Sequence, residues 1–231
     1  MKGIKGKLGL FLFSVCLAFS HELWVKREGN SYTLYYGHLN PKEGEEKFIK
    51  YKPEDVLRIE CFDHFGKSIP LKLERNYPIK FNAQCYAVYA VYSSGYWTKT
   101  VYGLTNKPKN ETKEPLESWL SYESVKRIDG WTEAFKKPLT DDLEIVPLNN
   151  PLTLNVGDKI TLVVYQKGKP VKDVPVAYED KTVGATDEEG KINVRIKHKG
   201  MQIIKASVKE KGDGTKADYV VKTTSLVFEV K

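Results

Sequence analysis

Residues 159–200 read KITLVVYQKGKPVKDVPVAYEDKTVGATDEEGKINVRIKHKG, and their punctuation decides the fold class. Runs rich in β-branched and aromatic residues (Lys159–Tyr165, Val174–Tyr178, Thr182–Ala185, Lys191–Lys197) alternate with Gly168-Lys169-Pro170, Asp187-Glu188-Glu189-Gly190 and Lys199-Gly200. Such residues reverse a chain, because glycine accepts positive φ and proline presets its own. Two further runs, Gln202–Val208 and Tyr219–Val230, continue the pattern. About seven short strands at this spacing predict an immunoglobulin-like sandwich over residues 147–231.

Working back toward the start, Pro147-Leu148-Asn149-Asn150-Pro151 punctuates the chain and suggests a boundary. Before it, Glu22–Arg27, Tyr32–Gly37, Val56–Phe62, Ile69–Leu73 and Gln84–Tyr92 have strand composition, which predicts a β-sandwich-like domain over residues 21–146. Gln84–Tyr92 carries apolar residues on both alternating faces and reads as a central strand. Its aromatic cluster (Tyr86, Tyr89, Tyr92, with Tyr96 and Trp97 beyond) is therefore assigned to the core and not to a sugar platform. Pro115 can open a helical turn carrying Leu116, Trp119, Leu120, Val125 and Ile128, which predicts a short helical or irregular connecting segment. The expected class is all-β, an N-terminal β-sandwich-like domain followed by an immunoglobulin-like, transthyretin-like one.

Residues 1–20 read as a signal peptide. Lys2, Lys5 and Lys7 precede an apolar run from Leu8 to Leu17, and Ala18-Phe19-Ser20 places small residues at −3 and −1 of a cut before His21. The run is too short to span a bilayer, so the cleaved protein is expected to be exported without stable membrane insertion. Cys16 lacks the small residue expected just ahead of a lipidated cysteine. Cleavage removes three lysines and takes the formal charge from +7 to +4. Lysines and acids are interleaved without an arginine stripe, which argues against a nucleic-acid partner. Asn110-Glu111-Thr112 matches a glycosylation triplet that is common by chance.

Cys61 and Cys85 remain after cleavage, and an exported pair can oxidise to a disulfide or stay as two buried thiols. Neither belongs to a C-x-x-C motif, which argues against a zinc ribbon or a thioredoxin-like centre.

The chemistry concentrates at the new chain end. Gly29-Asn30 is a two-residue hairpin turn that pairs Glu28 with Ser31. Counting outward, His21 falls opposite His38. Opposed Cβ atoms lie about 4.5–5.5 Å apart, so two imidazoles can share one metal ion. A cut before His21 also frees an α-amine that can chelate with its own imidazole. His38 would complete three nitrogen donors, a set suited to nickel or copper over magnesium or calcium. His64, in Asp63-His64-Phe65-Gly66, is a possible further ligand, and His198 between two lysines reads as surface. No G-x-S-x-G, H-E-x-x-H, phosphate-cradling loop or C-x-x-C occurs, and an enzyme is not expected.

The order of His21-Glu22-Leu23-Trp24, Tyr36-Gly37-His38, Thr98-Lys99-Thr100, Asp141-Asp142-Leu143-Glu144-Ile145-Val146-Pro147-Leu148 and Val156-Gly157-Asp158 ahead of Gly168-Lys169-Pro170-Val171 resembles the periplasmic accessory components of nickel and cobalt uptake systems. The second half resembles carboxypeptidase-regulatory-like and transthyretin-like domains, a likeness that concerns fold alone. The first resemblance implies a periplasmic protein that holds nickel or cobalt for an inner-membrane transporter of energy-coupling-factor or ABC type. It carries over His21 and, less directly, His38. A copper-binding histidine brace and a metal-free adhesive or structural β-module are the alternative expectations. N-terminal sequencing of the untagged exported protein is expected to read His-Glu-Leu-Trp; a start at Phe19 would take the amine out of the site.

Overall fold

The computed structural model describes residues 21–231; the expected signal segment 1–20, including Cys16, lies outside the described residues. The chain is all-β. Its strands are β1 (Glu22–Glu28), β2 (Ser31–Gly37), β3 (Val56–Phe62), β4 (Ser68–Ile69), β5 (Lys80–Asn82), β6 (Ala87–Thr100), β7 (Gly103–Thr105) and β8 (Pro115–Ile128). They continue as β9 (Glu144–Pro147), β10 (Lys159–Gln166), β11 (Lys169–Pro170), β12 (Pro175–Tyr178), β13 (Lys181–Ala185), β14 (Lys191–Arg195), β15 (Gly200–Lys211) and β16 (Tyr219–Val230). The expected strand Ile69–Leu73 shrinks to the two residues of β4, while the expected Gln84–Tyr92 runs on to Thr100.

A nine-stranded sheet in the order β13-β12-β15-β16-β8-β6-β3-β4, with β7 beside β6, forms the centre. Strand β16 pairs in parallel with β8, from Tyr219 opposite Trp119 to Val227 opposite Arg127. Hydrogen bonding therefore continues across the expected boundary at residue 147. One face of this sheet packs on the smaller sheet β11-β10-β14, which β9 joins, through Leu162, Val164, Val176, Ile204, Leu226 and Phe228. The other face packs on the sheet β1-β2-β5 through Leu23, Val25, Leu34, Val88, Ile203 and Val227. Burying each such side chain contributes about 1.5–3 kcal/mol, so the two apolar faces hold the layers together.

The expected helical segment around Pro115–Ile128 is instead the strand β8. Between β6 and β16 it has no solvent-facing side over much of its length, and Ser118, Ser121, Ser124, Lys126 and Arg127 are buried in it. Each finds tertiary partners: Lys126 Nζ lies 2.7 Å from Glu144 Oε1, and Asp218 accepts from both Ser118 N and Ser118 Oγ. Polar residues satisfied at long range erase the alternation that marks a strand. Glu144 also accepts hydrogen bonds from Leu139 N and Thr140 N, tying the segment before β9 to the sheet.

Cys61 and Cys85 are joined by a disulfide, 24 residues apart in sequence. Closing a loop of this length restricts the unfolded chain by about 3 kcal/mol. Urea unfolding with and without reductant is expected to differ by roughly that amount; equal midpoints would contradict it.

Candidate functional site

The turn that aligns the two histidines follows from Gly29, whose φ of 61° suits a two-residue hairpin loop. The register runs from Glu28 opposite Ser31 to Glu22 opposite Gly37, so the next pair outward is His21 and His38. Their ring centroids lie 5.0 Å apart, edge to face. Gly37 is required just before His38: its φ is 140°, and a Cβ there would stand 2.4 Å from Lys47 O. That contact brings the 38–48 loop back against the hairpin, with His38 N donating to Lys47 O and His38 Nδ1 3.6 Å from Glu45 Oε2.

Alternation puts His21 on the face of β1 shared with Leu23, whose cross-strand partner is Tyr36. This face meets the large sheet. The Tyr36 ring packs 5.0 Å from that of Tyr92, its hydroxyl donates to Glu123 Oε1 at 3.2 Å, and His21 Nδ1 lies 3.3 Å from the same hydroxyl. Next to the pair, Glu22 Oε1 bonds the fully buried Lys205 Nζ at 2.9 Å, Asp180 lies 3.3 Å from the same nitrogen, and Glu22 Oε2 accepts from Leu39 N.

Burial shifts these groups. The His21 imidazole is held below its usual pKa by burial first and by His38 second, which favours the neutral ring that a metal ion needs. Burial pushes Glu123 up to about 8, against the opposing pull of Tyr36 and Lys205. Its Oε2 is buried without a hydrogen-bond partner among the described residues, an arrangement a neutral carboxyl tolerates far better than a carboxylate. The same burial, with Glu123 alongside, raises the Tyr36 phenol above the ordinary range.

The structure brings His21 and His38 together and leaves the other histidines elsewhere. His64 is not a further ligand of the pair: its ring packs on Phe65 and Tyr86, and it lines a cavity of about 580 Å³ with Asn30, at the opposite end of the β1–β2 hairpin. His198 faces Glu179 and Tyr178. Among the described residues no group of three or more His, Cys, Asp or Glu side chains is arranged to hold a metal ion. Sequence reading missed Glu22, Glu123 and Lys205. A signal was present for Lys205, a lone charge inside Ile203-Ile204-Lys205-Ala206, since an unpaired lysine is rarely buried. Glu123 gave none, because the helical reading of its segment hid the face it occupies.

Glu123 makes a pH prediction. Its folded pKa lies above the unfolded value, so the folded state holds a proton that the unfolded state has lost. Stability from this group is full below the unfolded pKa of 4.5 and declines as pH rises toward about 8. Urea unfolding of metal-free protein is expected to show Glu123→Gln gaining a few kcal/mol on the native chain, on the order of 2–4, between mildly acidic and mildly alkaline pH. A pH-independent difference would contradict a buried neutral carboxyl.

No helix of the described residues is long and apolar enough to cross a membrane. No curated protein and no solved structure matches the chain. A family model described as a domain of unknown function (DUF4198) matches residues 18–210, which include the hairpin, both histidines and every strand from β1 to β14. The chain belongs to that family.

Proposed function

We propose that the exported protein binds a divalent transition metal, nickel or cobalt, in the periplasm and serves as an accessory component of an inner-membrane uptake transporter. The observation that carries this reading is the His21–His38 pair, two rings 5.0 Å apart at the place where signal cleavage would create a chain end. Two imidazoles alone make a weak site. Cleavage before His21 supplies the third nitrogen.

The donor set fits the group. Neutral imidazoles and an amine are borderline ligands that favour nickel, cobalt and copper over magnesium or calcium. The low pKa of His21 keeps its ring deprotonated at neutral pH. Chelation by the amine uses Nδ1 of the same residue, because Nε2 points away from the backbone, so binding would release His21 from Tyr36. Glu22, bonded to Lys205 and to Leu39 N, holds the backbone on which the amine sits. The residues would orient the ion and hold it for transfer.

Calorimetric titration of the mature protein with nickel tests the proposal. His38→Ala, and separately one extra residue ahead of His21, are each expected to weaken binding by at least about tenfold, since even an outer-shell partner's loss costs roughly 10–100-fold. Unchanged affinity in either variant would sink the site, and copper retained against excess nickel would move the reading to a histidine brace.

A further inference from the structure

Beyond Tyr92 the large sheet outruns the layers that cover it, and β6, β7 and β8 end in an exposed tip. Tyr102 is 85% exposed, Val101 61%, Leu104 56% and Leu116 60%. Four large apolar side chains in one place exceed the scattered exposure normal for a protein surface. The tip is rigid: Thr100 Oγ1 donates to Gly103 O at 3.1 Å and accepts from Tyr102 N at 3.0 Å. Behind it, Trp97 and Trp119 are direct cross-strand partners and only part-buried. Lys99, two residues from Trp97 and so on the same face, is the cross-strand partner of Leu104.

The charge around the tip is mainly positive, with Glu114, exposed just before Pro115, the acid that stands nearest to it. Residues 75–110 contain no Asp or Glu, and Lys99 and Lys107 are exposed. Glu117, the cross-strand neighbour of Lys99, is engaged by Lys209 at 2.6 Å. Shape narrows the partner further. Val101 and Tyr102 sit on the turn itself, while Leu104 and Leu116 lie on opposite sides of β6, so the four crown a protruding tip best met by a surface that yields on every side. The boundary between lipid headgroups and acyl chains does, and part-exposed tryptophan and tyrosine beside apolar residues suit that depth.

We propose that this tip is a lipid-docking element that inserts Val101, Tyr102, Leu104 and Leu116 into an anionic membrane surface, with Lys99 and Lys107 against the headgroups. The eight residues from Tyr92, beside Tyr36, to Thr100 span roughly 26 Å. Docking would therefore hold the histidine pair about that distance from the bilayer. The inference does not depend on what the histidines bind.

The test is co-sedimentation of the mature protein with protein-free vesicles of phosphatidylcholine alone and of phosphatidylcholine with phosphatidylglycerol. The expected result is binding to the anionic vesicles that falls as salt rises. Tyr102→Ser with Leu104→Ser should lower partitioning about tenfold or more, and Lys99→Gln with Lys107→Gln should lower it on anionic vesicles alone. Circular dichroism should show each variant folded, since all four sites are exposed. Absence of sedimentation at low salt, or native-like sedimentation of the Tyr102→Ser/Leu104→Ser variant, would overturn the proposal. So would binding confined to vesicles that carry membrane proteins, which would assign the tip to a protein partner.

Discussion

The bond between Glu22 and Lys205 fixes where the first hairpin sits on the large sheet. Lys205 is fully buried on a central strand of the large sheet, and Glu22 is the first residue of β1, so one ion pair ties the start of the hairpin to the middle of the fold. A buried ion pair is weak evidence for stability, because two charges lose water to make it. Its effect is on position. Removing Lys205 would leave the buried Glu22 without its cation, and a one-residue slip of β1 would carry Glu22 to the other face. The seat of the hairpin on the large sheet, and with it that of His21, rests on this pairing.

Around that anchor lies a polar cluster: Tyr36 and Glu123 next to His21, then Glu22 and Lys205, with the exposed Asp180 at its edge. Interiors exclude such groups unless partnered. Here the partners come from distant parts of the sequence, the β1–β2 hairpin, β8 and β15, with Asp180 between β12 and β13. A cluster assembled from so many strands places a polar patch, in which burial favours the neutral forms of His21 and Glu123, at a predetermined point. His38 enters from the other side, fixed by the close approach at Gly37.

How far this was legible in the sequence depends on how local the determining forces were. The hairpin register was legible because Gly29-Asn30 sets it within two residues, and the observed pairs follow the count to the last one. The second-half strands were legible because glycine and acidic turns bracket each of them. Strand β8 was not, since its buried Ser118, Ser124 and Lys126 are satisfied by residues elsewhere in the chain and leave no alternation to read. The parallel pairing of β16 with β8 was invisible for the same reason: nothing in either segment names a partner about a hundred residues away. At the site, two facing imidazoles were legible and the acids that seat them were not. Nothing local in the sequence places His64 near the pair, and tertiary structure puts it at the far end of the hairpin.

The central claim is that signal cleavage and hairpin register together create one metal site. The most direct measurement is anomalous diffraction at the nickel edge from crystals of the mature protein grown with nickel. The account predicts one strong peak bonded to a ring nitrogen of His21, a ring nitrogen of His38 and the terminal amine. A peak seated elsewhere, or a metal held by the imidazoles with the amine turned away, would contradict it.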